Sequence, residues 1–154
     1  MKKFVLLLLI ILLSNCGFKV VTKDDFGDYK VKEILTTGDS RISFDLKKKV
    51  INNSSEYSQN LIRVNMNVKK TKEIKEKNIQ NEITKYNISI TAKVNFYFLE
   101  DGISGEFQIS KERNYDVSDS YSTTLTREKS VIKNLVKDIS DQIIKNLQVK
   151  LNEL

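Results

Sequence analysis

The chain has 154 residues and a formal charge of +6, with one Cys and no His, Trp or Pro. Without histidine the commonest general base and metal ligand is missing, and a single cysteine builds neither an internal disulfide nor a thiolate zinc cluster. The five glycines are scattered and form no phosphate-cradling loop, so the chain reads as non-enzymatic, with no metal and no cofactor.

The N-terminus begins with the basic pair Lys2 and Lys3, followed by an unbroken apolar run over residues 4–13. A helix needs roughly 20 apolar residues to cross a bilayer core. A run half that length suits the hydrophobic region of a secretion signal. Leu13-Ser14-Asn15-Cys16 resembles the lipobox of bacterial lipoproteins, departing from it at Asn15, where Gly or Ala is usual. Residues 1–15 are therefore expected to be a signal peptide and Cys16 the lipidation site. Several acyl chains on Cys16 would give stable anchoring, since each buried CH₂ contributes about 0.8 kcal/mol. Gly17 follows instead of Asp, which by resemblance to lipoprotein sorting favours the outer membrane, on its periplasmic side. Lys2 and Lys3 leave with the signal, so the formal charge falls from +6 to +4. Lysines far outnumber arginines, 22 to four, and Asn and Ile are abundant. These residues share A/T-rich codons, so codon bias competes with function as the origin of the basic character. No nucleic-acid partner is expected.

Residues 16–28 read as a tether, and residues 29–154 as a single domain. Residues 29–35 carry β-branched side chains and predict a first strand. Thr36-Thr37-Gly38-Asp39-Ser40 reads as a turn that supplies a helix N-cap at Asp39 or Ser40. Over residues 41–52, Ile42, Leu46 and Val50 fall four apart, which predicts a short amphipathic helix. From Leu61 the period becomes two: Ile62, Val64, Met66 and Val68 alternate with polar residues, as in a half-buried strand. The charged stretch 69–77 reads as the end of a hairpin. Tyr86, Ile88, Ile90, Ala92, Val94, Phe96 and Phe98 then occupy seven alternate positions, which a strand collects on one face and a helix scatters. Asp101-Gly102 is a turn signal, and Phe107, Ile109, Tyr115 and Val117 continue on the returning strand. Residues 118–126 read as a polar loop. Residues 127–151 read as the longest helix, with Val131, Ile132, Leu135, Val136, Ile139, Ile143 and Leu147 as its apolar stripe. The expected fold is α+β: a two-layer sandwich with two helices on one face of an antiparallel or mixed sheet of about four strands. The other sheet face is polar and must meet water or a partner.

Read as a whole, the chain resembles the LPS-assembly lipoproteins of Gram-negative bacteria, the LptE family. The resemblance rests on Cys16-Gly17-Phe18, a Cys-Gly-aromatic opening, and on the strand–helix–strand–strand–strand–helix order. It rests also on residues 111–116, followed by a polar loop and a helix with Asp138 and Gln142. The first helix is shorter than is usual in that family. The resemblance implies a plug inside the outer-membrane β-barrel LptD, assisting barrel assembly and the passage of lipopolysaccharide to the outer leaflet. It also implies that lysines meet lipid phosphates. The candidate lipopolysaccharide- or partner-binding residues are Lys69, Lys70, Lys72, Lys75 and Arg113, with Arg113 alternatively paired to a neighbouring carboxylate. A different reading is an auxiliary lipoprotein of a lipid-trafficking ABC system. A free lipid carrier would need a large apolar cavity, which the one-sided stripes are poorly suited to line.

Overall fold

The computed structural model describes residues 29–153, in the order β1 (Lys30–Gly38), α1 (Ser40–Asn52), β2 (Leu61–Lys77), β3 (Ile83–Phe98), β4 (Ser104–Asp116) and α2 (Tyr121–Asn152). The expected signal peptide (residues 1–15) and the expected tether (residues 16–28), Cys16 included, lie outside the described residues. The four strands form one mixed sheet in the order β1-β2-β3-β4. β1 runs parallel to β2, as a strand returning through a helix does, while β2–β3 and β3–β4 are antiparallel hairpin pairs. Both helices pack on the same sheet face and against each other, as the α+β sandwich expectation required.

The period-two stripes converge on one layer. Met66 pairs with Val94 and Val94 with Phe107, while Val68 pairs with Ala92 and Ala92 with Ile109. These cross-strand rows, with Phe107 only partly buried at their margin, lie under Ile42, Leu46 and Val50 of α1 and under Val131, Leu135, Ile139, Ile143 and Leu147 of α2. The buried stripe of α1 is the one its spacing predicted. The Asp39 side chain accepts a hydrogen bond from Ile42 N at 3.0 Å and is the N-cap.

Three boundaries differ from the sequence expectation, each for a local reason. β1 continues through Thr36, Thr37 and Gly38, because its parallel register with β2 persists to Gly38↔Val68. The charged stretch 69–77 is strand, not hairpin end. It pairs with β3 from Lys69↔Thr91 to Lys77↔Ile83, since the long β3 needs a partner of equal length. The turn itself is 78–82, where the Asn78 side chain accepts from Gln80 N and Glu82 N and Asn81 takes a φ of 64°. Finally, α2 starts at Tyr121 within the expected polar loop. Its hydroxyl residues bond back to the preceding turn, Thr124 to Ser120 O and Thr126 to Ser122 O, so their side chains are satisfied within the helix at no more than a slight cost to it. The Asp101-Gly102 turn is as expected, with Gly102 at a φ of 68°.

Candidate functional site: a basic cleft and an open polar face

The five sequence candidates do not form one patch. Lys70, Lys72 and Arg113 point to the helix layer, where each meets a carboxylate. Lys70 lies 3.6 Å from Asp39, Lys72 lies 2.6 Å from Glu128, and Arg113 lies 3.2 Å from Asp138. Arg113 therefore pairs with a carboxylate, from α2 rather than from a neighbouring strand. Lys69 lies on the opposite face, in register with Thr91, and Lys75 sits at a register shift between Ile74 and Glu76. Beyond Val68 no β1 residue pairs with β2, so this lysine-rich stretch runs along an uncovered edge. Lysines there disfavour the addition of a stray strand.

Lys72 belongs to a compact network. Glu128 accepts from Lys72 Nζ and, at 2.8 Å, from the Tyr115 hydroxyl. The ammonium lies 4.3 Å from the ring centre of Tyr86, which stacks on Tyr115. Partial burial opposes the charge on Lys72, but the bonds to Glu128 and Tyr115 outweigh it and raise its pKa. Partial burial likewise opposes ionisation of Glu128, yet the bonds from Lys72 and Tyr115 bring its pKa below the ordinary 4.5. A lowered carboxylate contributes stability above its unfolded value, and that contribution is lost as pH falls through the folded value. A raised lysine contributes below 10.5 and loses that as pH rises. The network is thus complete between about 4.5 and 10.5. More than a third of the Lys72 side chain is in water (37%), so screening holds the effect to about 1 kcal/mol. Urea unfolding of Glu128→Gln is expected to show that loss at pH 7 and a smaller loss of stability than the parent on acidification to pH 3. Equal acid dependence in both proteins would rule out this pairing as a source of stability.

Two larger surfaces went unmarked by the sequence. The first is a cleft of about 1070 Å³ between α1 and α2. Arg41, Lys48 and Lys49 line it from α1, and Lys129 and Lys133 from α2. None of these five forms an ion pair with a described residue. Lys70, Asp39 and Glu128 also line the cleft but are engaged as above, while Asp45 is the third carboxylate. Its apolar lining comes mainly from α2, where Leu125 is 36% exposed and Ile132 partly so, with the buried Ile42 and Val136 beneath. No spacing rule joins residues 41–49 to 129–133; only the packing of α1 on α2 does. The second surface is the sheet face away from the helices. Asn65, Asn67, Lys69 and Thr71 of β2 lie in rows with Ser89, Thr91, Lys93 and Asn95 of β3 and with Glu106, Gln108, Ser110 and Glu112 of β4. Many of its charges are satisfied across strands: Arg63 with Glu33 at 2.6 Å, Lys93 with Glu106 and Lys85 with Glu76, both at 2.9 Å.

The fold is shared with two solved lipoproteins. Rare lipoprotein B from Shewanella oneidensis superposes with a TM-score of 0.60 at 9% identity, over 78% of this chain and 97% of that one. Lipoprotein B from Nitrosomonas europaea superposes with a TM-score of 0.56 at 13% identity, over 81% of this chain and 88% of that one. At these identities the likeness is one of architecture. No family model and no curated protein matches the chain. Among the described residues no cluster of acidic or sulfur side chains has the arrangement of a metal site.

Proposed function

We propose that the chain is a lipid-anchored, non-enzymatic component of the outer membrane. In this reading it sits in the LptD barrel as LptE-family proteins do, assisting barrel assembly and the delivery of lipopolysaccharide to the outer leaflet. The observation that carries this is the uncovered sheet face, polar along most of its length with Leu35 and Tyr97 as exposed exceptions, and bridged by cross-strand ion pairs. The lumen of an outer-membrane barrel is itself polar, so such a face meets it with little apolar surface stranded in water. β2 alone has 17 residues and extends about 55 Å, long enough to run the height of a bilayer. The fold shared with two lipoproteins and the Leu-Ser-Asn-Cys sequence ending at Cys16 support an anchored protein.

Two measurements test the proposal. The full chain, purified from envelopes through a C-terminal tag, is expected to bring LptD with it in comparable amount. Recovery without a barrel would overturn the plug reading, and recovery of an inner-membrane transport complex in its place would favour the auxiliary lipoprotein. Separately, labelled palmitate should enter the parent chain and not Cys16→Ala. Equal labelling of both would end the anchoring reading.

A further inference from the structure

We propose that the free edge of β1, with the groove between it and α1, takes an extended, acidic segment of a partner protein, which adds to the sheet as a further strand. The inference is independent of the barrel reading, and its physical basis is a contrast among the edges of one sheet. Among the described residues the strand order leaves β1 and β4 outermost. β4 carries Glu106, Lys111, Glu112, Arg113 and Asp116 and has α2 packed on it. β2 beyond Val68 is lined with lysines. Charges of this kind keep stray strands away. β1 has none from Ile34 to Gly38, and it is flanked by apolar side chains on both faces. Leu35, in register with Asn65, is 55% exposed on the open sheet face, while Phe44 (65%) and Ile51 (41%) line the groove from α1. Strand addition uses such an edge: backbone bonds supply the affinity, and alternate side chains settle to either side.

The backbone and the local charge define the occupant. Asp39 N bonds to Val68 O at the end of the β1–β2 ladder, and Lys47 Nζ reaches from α1 to Ile34 O at 3.1 Å. Backbone groups alternate in direction along a strand, so Ile34 and Thr36 turn theirs to the open edge. The groove has a volume of about 520 Å³, and its charged lining is Lys47 and Lys48, with no carboxylate. A carboxylate on the incoming segment draws Lys47 away from Ile34 O and frees that carbonyl for a ladder bond. A second copy of this chain fits poorly. It would set Lys30, Lys32 and Lys47 against their like, and Glu33, the one carboxylate of β1, is held by Arg63 at 2.6 Å. A basic segment meets the same lysines, and a lipid brings no row of donors and acceptors to match the edge.

Photo-crosslinking of the full chain in living cells tests this. With p-benzoylphenylalanine in place of Phe44, irradiation is expected to give an adduct of protein mass, and mass spectrometry of the joined peptides to find Asp or Glu beside the attachment point on the partner. Two further substitutions in that chain probe the mode of binding. Thr36→Pro removes an outward N–H that the β1–β2 ladder does not use, and Lys47→Glu reverses a groove charge without touching the backbone. Each is expected to lower the adduct by about tenfold while melting within about 4 °C of the parent. Should Thr36→Pro melt lower than that, Lys47→Glu alone decides. An adduct of twice the chain's mass, a lipid adduct or a link to residues 17–28 of the same chain would overturn the proposal. So would a partner segment without a carboxylate, the absence of any adduct, or an adduct indifferent to the substitutions.

Discussion

Val94→Asp is expected to unfold the domain, while Thr91→Asp melts within about 4 °C of the parent. The two positions are three residues apart on one strand and face opposite ways. Val94 is fully buried, with Met66 and Phe107 as its cross-strand neighbours. A carboxylate there has no cation in the adjoining rows and costs roughly 4 kcal/mol or more, much of the 5–15 kcal/mol that holds a domain of this size. Thr91 lies on the open face between Lys69 and Ser110. An aspartate at that position loses one hydrogen bond to Ser110 and gains a lysine neighbour. Ile90, equally buried, is a poorer probe, because Lys70 and Lys111 flank it on the same face. Thermal unfolding followed by circular dichroism decides the matter. Similar melting of both variants would mean that the buried face of β3 is misassigned.

Gly38→Ala is expected to be the other severe substitution, costing about 3 kcal/mol and loosening the start of α1. Gly38 holds a φ of 93°, a region that side-chain-bearing residues enter at a cost of about 1–2 kcal/mol. Space makes it worse, since a Cβ there would stand 2.0 Å from the carbonyl oxygen of Val68. That oxygen accepts the hydrogen bond from Asp39 N at 2.8 Å, and Asp39 caps α1. The carbonyl cannot retreat without disturbing both β2 and the helix start. Gly102→Ala is the control. Its φ of 68° carries similar strain, but the nearest atom to an added Cβ is the Tyr97 hydroxyl at 3.9 Å, so about 1 kcal/mol is expected. Urea unfolding separates the two, and a Gly38→Ala cost no greater than that of Gly102→Ala would contradict the close approach.

These substitutions mark where sequence reasoning ends. The stripes of β2 and β3 and the i, i+4 stripe of α1 were legible because side-chain direction has a fixed period in each element. With two amphipathic helices and one polar sheet face, that sufficed for the α+β sandwich. The network of Lys72, Glu128 and Tyr115 was not legible. Its members are far apart in the chain and meet only because α2 crosses the end of β4. The lysines of 69–77 read as one basic cluster along the chain, yet a strand sends successive residues to opposite faces. Lys70 and Lys72 accordingly hold Asp39 and Glu128, while Lys69 looks the other way.

The sequence by itself determined the periods of the elements, a helix cap at Asp39 or Ser40, the turn at Gly102 and the absence of histidine, all properties of composition or of neighbours within four residues. Only the tertiary structure decided which charges are spent and which are free. It paired Arg113 with Asp138 and gathered Arg41, Lys48, Lys49, Lys129 and Lys133 around one cleft. The reason is physical: an ion pair or a binding cleft depends on distances between elements, and those follow from how the helices bury their stripes on the sheet.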